Sequence, residues 1–137
     1  MKKYKQVTII LFALLFIFTM TACTGKPSDD GSNVKTIRIS MSILYPQSSE
    51  KKDTRDISMQ VQEKATVMQV LESYTNQEGI PIVVDSYDTP AVTAINGVKA
   101  KNRLKWIYTI NGKETSVSAS ECVLKNNDKI VWKLMKK

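Results

Sequence analysis

Thr66-Val67-Met68-Gln69-Val70-Leu71-Glu72-Ser73-Tyr74, closed by Gly79 and Pro81, is the stretch on which the fold of this chain turns. Val67, Val70, Leu71 and Tyr74 stand at i, i+3, i+4 and i+7, so their side chains share one face of a helix. Thr66 and Gln69 have the spacing of a capping box, in which the Thr hydroxyl accepts from the Gln backbone and the Gln side chain accepts from the Thr backbone. Gly79 and Pro81 stop the helix. A helix with one apolar face needs a surface to cover, and the flanking sequence supplies one.

On either side the period drops to two. Ile37, Ile39, Met41 and Ile43 alternate with Arg38, Ser40 and Ser42. Ile57, Met59 and Val61 alternate with Ser58, Gln60 and Gln62. Each run reads as a half-buried strand, and the polar connection Tyr45 to Thr54 makes the pair an antiparallel hairpin. Beyond the helix, Ile82 to Val84 and Val92 to Ile95 are short apolar runs around the turn-rich Asp85-Ser86-Tyr87-Asp88-Thr89-Pro90. Asn96-Gly97 and Asn111-Gly112 are hairpin signals, because both residue types tolerate positive φ. Leu104, Trp106, Tyr108 and Ile110 form one strand face, and Ile130, Trp132 and Leu134 another, entered through Asn126-Asn127-Asp128. The expected fold class is α+β, with one main helix over a mixed or antiparallel sheet in a β-grasp-like plan.

The first 22 residues follow a different logic. Lys2, Lys3 and Lys5 precede the apolar run Val7 to Met20, and Met20-Thr21-Ala22-Cys23 ends it with small residues and a cysteine. That is the order of an export signal. Val7 to Ala22 spans about 24 Å as a helix, short of the roughly 30 Å of a bilayer core. Cleavage is therefore expected, rather than a permanent span. The placement of Cys23 resembles a bacterial lipobox, so residues 1–22 are expected to be a lipoprotein signal peptide and Cys23 the lipidated first residue. Thr24 to Asn33, rich in Gly, Pro, Ser and Asp, makes 23–33 a flexible tether. The folded domain is expected over 34–137, on the outer face of the plasma membrane.

The net charge of the full chain is +7, and loss of Lys2, Lys3 and Lys5 with no acids leaves +4. That balance suits anionic headgroups or wall polymer, and nucleic acid is not an expected partner outside the cell. The chain contains no histidine. Ser-His-Asp and Cys-His chemistry and imidazole metal sites are excluded. Acylation of Cys23 would leave Cys122 without a disulfide partner, and a buried structural thiol is its plain reading.

The candidate site residues fall into two groups. Trp106 and Tyr108 would stack on a planar ligand, though their spacing equally suits core packing. Asn111 and Gly112 would present backbone groups at a hairpin tip, or form a plain two-residue turn. Lys99, Lys101, Arg103 and Lys105 alternate, so an extended chain would align four cations for an anionic surface, or merely solvate a sheet edge. Asp85, Asp88 and Asp128 have no calcium-loop spacing and read as turn caps. No catalytic or metal site is expected, and no cofactor is firmly implied. The sheet face carrying Arg38, Gln60, Lys105, Ile107, Val131 and Lys133 lies opposite the core stripe and is a place for a partner.

Val92-Thr93-Ala94-Ile95-Asn96-Gly97, Trp106-Ile107-Tyr108-Thr109-Ile110-Asn111-Gly112-Lys113 and Leu124 to Trp132 together resemble the DUF4430 domain. That family is similar to the C-terminal β-domain of transcobalamin and intrinsic factor. The resemblance implies an extracytoplasmic binding domain, whose ligand would be cobalamin or a related corrinoid. The expected role is a non-catalytic module that captures such a small molecule and passes it to a transporter subunit. The alternative expectation is a surface protein that docks on cell-wall polymer or on another protein.

Overall fold

The computed structural model describes residues 34–136. The expected signal peptide 1–22, the lipidation site Cys23 and the tether 23–33 lie outside the described residues. Within them the chain forms an α+β fold with one α-helix, a five-stranded mixed sheet and a three-stranded antiparallel sheet.

The two alternating runs become β1 (Thr36–Leu44) and β2 (Thr54–Gln62), antiparallel as expected, with Ile39 opposite Met59 and Met41 opposite Ile57. The register shifts at Ser42, where Arg55 and Asp56 share one position on the neighbouring strand. Asp56 takes φ 50 there, and its N–H donates to Ser42 Oγ at 2.9 Å. This is a β-bulge, with one extra residue on β2. The polar connection holds a short 3₁₀ turn, Gln47–Ser49, and closes with the Tyr45 N–H on the Asp53 carboxylate.

The helix α1 (Val67–Gln77) begins at the predicted capping box. Thr66 N–H donates to Gln69 Oε1 at 2.9 Å and Gln69 N–H donates to Thr66 Oγ1 at 3.3 Å. The next two helical donors, Val67 and Met68, reach the carbonyls of Cys122 and Ala119. At the other end Gly79 takes φ 65, and the Ile80 and Gly79 N–H groups close on Thr75 and Asn76 carbonyls. That pair of bonds is a Schellman cap, which needs a left-handed residue where Gly79 stands. Val67, Met68, Val70, Leu71, Tyr74 and Thr75 are buried. Each large apolar side chain on that face contributes about 1.5–3 kcal/mol by leaving water. The hydroxyl of Thr75 is satisfied by the Leu71 carbonyl at 2.8 Å.

After α1 come β3 (Ile82–Asp85), β4 (Ala91–Ile95) and β5 (Val98–Lys99), which form the smaller sheet. Asn96 and Gly97 both have positive φ, 52 and 79, the type I′ turn their sequence implies. Then follow β6 (Leu104–Ile110), β7 (Lys113–Glu114) and β8 (Lys129–Lys136). The order in the large sheet is β2-β1-β8-β6-β7, with β8 parallel to β1 and every other pair antiparallel. The final strand therefore lies at the centre, with Ile130 beside Met41 and Trp132 beside Ile43. Burial on both flanks explains why Met41, Ile43, Ile130 and Trp132 are at most 2% exposed.

The entry to β8 is stitched to β1 by short polar contacts. Asn126 Oδ1 accepts from the Arg38 N–H, and the Asn127 N–H donates to the Arg38 carbonyl. Asn127 has φ 69, which its side chain tolerates better than most.

Candidate functional site

Of the four predicted ligand contacts, two lie inside the fold and two, Asn111 and Gly112, are exposed. Trp106 and Tyr108 are buried, on the core side of β6. Trp106 stands edge-on to Tyr45 with centroids 5.8 Å apart, and Tyr108 lies 5.4 Å from Trp132. Trp106 Nε1–H donates to the Val98 carbonyl at 2.9 Å, so β5 is tied to β6 through the indole. The Tyr108 hydroxyl donates to the Val117 carbonyl at 2.7 Å. Asn111 and Gly112, with φ 52 and 78, form the two-residue turn between β6 and β7. The Asn111 amide is occupied: Nδ2 donates to Asp128 Oδ1 and Oδ1 accepts from the Lys129 N–H. Aspartates act as turn caps, Asp85 on the Tyr87 N–H and Asp128 on the Lys125 N–H.

The expected alignment of Lys99, Lys101, Arg103 and Lys105 on one extended side is corrected by the backbone. Lys99 ends β5 and Lys105 lies on β6, but the chain turns between them, with Asn102 at φ 55 and the Leu104 N–H on the Lys101 carbonyl. The four cations are exposed and have no salt bridge among the described residues, where Arg55–Asp53 at 2.6 Å is the one pair. They form a basic turn instead of a stripe.

What the strand edge creates is a groove of about 530 Å³, lined by Lys105 to Tyr108, by Thr89 to Val92 and by Thr115 to Ala119. Met68, Glu121 and Trp132 also reach it. Its origin is the early end of β7. Asn111 N–H donates to the Lys129 carbonyl, so odd-numbered residues of β6 exchange bonds with β8. Trp106 and Tyr108 therefore turn their backbone N–H and C=O groups the other way. β7 pairs only Thr109 and Ile110, and no backbone bond reaches Trp106 or Tyr108 on that side among the described residues. The buried Trp132 Nε1–H is likewise without a partner, a costly arrangement unless something accepts from it.

The groove can hold a ligand of a few hundred Å³ with apolar body and hydrogen-bonding edge, inside the usual size range of such sites. Lys105 and Glu121 supply one charge of each sign at its border. Burial, and then the Cys122 thiol close by, hold the Tyr108 phenol well above the ordinary tyrosine range, so it stays a donor. Burial likewise raises Tyr45; the Asn96 amide lies near enough to oppose this in part but makes no hydrogen bond of normal geometry. Cys122 is a free, half-buried thiol. Among the described residues no three His, Cys, Asp or Glu side chains gather as a metal site would require.

Thr89 to Ala91 and Thr115 to Ala119 were not among the residues expected from the sequence. Their signal was the hydroxyl-rich run Thr115-Ser116-Val117-Ser118-Ala119-Ser120, too polar for a strand and too long for a tight turn. On the outer sheet face Arg38 sits opposite Gln60 and Ile107 opposite Lys133, and farther along that face Ser42 and Thr109 are buried.

Residues 64–136, just over half the chain, match the family described as Domain of unknown function (DUF4430). No curated protein matches the chain. Among solved structures the chain is similar to haptocorrin in complex with Cbi, at 18% identity and a TM-score of 0.61, over 73% of this chain and 25% of that one. It is also similar to a candidate metal-binding protein from Ruminococcus gnavus ATCC 29149, at 15% identity and a TM-score of 0.52, over 74% of this chain and 98% of that one. These likenesses are of fold, and the chain spans about a quarter of haptocorrin's length.

Proposed function

The chain belongs to the DUF4430 family, and we propose that it is a non-catalytic binding module, held outside the cell by lipid on Cys23. Two or three acyl chains on that cysteine would anchor it firmly, where a single chain would not. The fold follows a β-grasp-like plan, a reading supported by the hairpin, the helix and the central parallel pairing of first and last strands.

The observation that carries the function is the groove along β6, with its unpaired backbone edge and aromatic lining in a fold shared with haptocorrin. Its occupant is one part of a corrinoid such as cobalamin or cobinamide, a molecule larger than the groove, and the ligand is handed on to a transporter subunit. Isothermal titration of the purified chain with cobinamide and with cobalamin tests this. Saturable heat with either supports the reading, and its absence with both, alone and with an importer subunit, defeats it.

A second reading rests on the basic turn. Lys99, Lys101, Arg103 and Lys105 are exposed cations with no acidic partner in salt-bridge range among the described residues, a surface suited to phosphate-rich wall polymer.

A further inference from the structure

The outer edge of the large sheet is an unguarded strand. Among the described residues β2 has β1 on one side and no strand on the other. The Glu63 N–H donates to the Lys35 carbonyl at 2.7 Å, so the odd-numbered residues of β2 exchange bonds with β1. Ser58, Gln60 and Gln62 therefore direct their backbone N–H and C=O groups outward. Edge strands are usually blunted by a charge, a proline or a bulge. Here Ile57 to Gln62 contains neither charge nor proline, and the Asp56 bulge stands only at its end.

Beside this edge runs a second groove of about 530 Å³, between β2 and α1, lined by Gln60 to Ala65 with Gln69, Val70 and Ser73. Ile57, Met59 and Val61 face this side and are only half-buried against the core. An exposed polar face, an open edge and a partly apolar groove lie together on one strand.

We propose that β2 pairs antiparallel with β2 of a second copy of this chain, joining the two five-stranded sheets into one. The sequence is self-complementary in one register. With Met59 opposite Met59, Ser58 lies opposite Gln60 and both exchange N–H···O bonds, Ile57 lies opposite Val61, and Arg55 comes alongside Glu63. Two-fold symmetry makes each of these contacts twice, except Met59–Met59, which lies on the axis. Ile57 of the second copy then enters the groove beside Val61 and Val70. Sliding by two residues one way, so that Gln60 opposes Gln60, sets Ile57 against the Glu63 carboxylate. Sliding by two the other way, so that Ser58 opposes Ser58, sets Arg55 against Val61 and loses the Arg55–Glu63 pair. Sliding by one turns the apolar residues to the polar face. Arg55 has reach to spare, because its side chain remains 66% exposed while it holds Asp53.

Cysteine cross-linking of the full chain carrying Cys122→Ser tests the register, with that chain as background for Cys23. Met59→Cys places two sulfurs across a non-hydrogen-bonded pair, where Cα atoms are about 4.5 Å apart, inside the range a disulfide spans. Gln62→Cys places its two copies six residues apart along the strand, about 20 Å. Mild oxidation is expected to link Met59→Cys into dimers and leave Gln62→Cys at background. Equal linking of both, or of neither, overturns the pairing. Sedimentation equilibrium of the full chain in detergent supplies the second readout. Arg55→Glu is expected to weaken the dimer about tenfold, and adding Glu63→Arg to restore it. A monomer at all concentrations overturns the proposal, including the case in which the edge serves a strand of a different protein.

Discussion

Tyr108 and Val117 are joined by a 2.7 Å hydrogen bond from the buried phenol to the carbonyl of a residue 46% exposed at the groove. One end of this bond is fixed in the core against Trp132, and the other belongs to a segment without regular structure. Tyr108→Phe keeps the ring and removes the bond. The expected loss is about 1 kcal/mol, read as a lower urea midpoint at unchanged slope. Amide exchange should quicken mainly over Thr115 to Ser118, because that segment loses its tie to β6.

The same phenol makes stability depend on alkaline pH. Burial raises both Tyr108 and Tyr45 above their ordinary value, so folding favours the protonated forms. That contribution is complete below about pH 10, the value of a free tyrosine. Above it the unfolded chain releases phenolic protons that the folded chain keeps, and stability falls with each step in pH. Urea midpoints taken between about pH 9 and about pH 11 should decline, and Tyr108→Phe should make the decline shallower. A slope unchanged by the substitution would contradict this assignment.

Asp128 is 8% exposed and accepts from two directions, Asn111 Nδ2 at 2.8 Å and the Lys125 N–H at 2.8 Å. It thereby locks the β6–β7 turn to the entry of β8. Asp128→Ala leaves both donors without their acceptor and should cost about 1–3 kcal/mol. Asp128→Asn retains the shape and one acceptor oxygen and should cost less. The comparison by chemical denaturation separates the hydrogen bonds from the mere filling of space.

How much of this was legible depended on the range over which each feature is decided. The alternation in Ile37 to Ile43 and Ile57 to Val61, the Thr66–Gln69 cap and both Asn-Gly turns are local, and each formed as its residues imply. The parallel pairing of β1 with β8 was not legible, because residues about ninety positions apart are matched by the whole core and not by a turn. Asn102 hides in a basic run and breaks it by taking left-handed backbone, a habit of asparagine that the alternation of charges obscured. The groove is legible only in three dimensions: it exists because β7 ends at Glu114 while β6 continues along its other edge.

The cap on α1 also shapes the groove. Val67 and Met68 donate to carbonyls of Cys122 and Ala119, so the helix start and the Thr115-to-Cys122 segment support each other. Thr66→Ala should lower stability by about 1 kcal/mol. Exchange should rise at Gln69, whose N–H loses its acceptor, and around Ala119, which is held by the same turn. Gln69→Ala, which removes only the return bond to the Thr66 N–H, should show a smaller loss with the same pattern.

The two proposed occupants of the surface make opposite demands on two sets of residues. Val117 is exposed at the groove, so Val117→Asp should leave stability within about 0.5 kcal/mol while placing a charge where an apolar ligand must sit. Lys99, Lys101 and Arg103 lie in the basic turn and do not line the groove, so their replacement by Gln removes charge without touching it. Capture of a corrinoid predicts that titration heat is lost in Val117→Asp and kept in the triple Gln variant. Docking on wall polymer predicts the reverse for retention on isolated cell wall, with retention also falling as salt shortens the Debye length. Both assays run on both variants give four results, and only a crossed pattern assigns the groove and the turn to separate tasks. Loss of heat in the triple variant alone would move the ligand from the groove to the turn and refute the site described above.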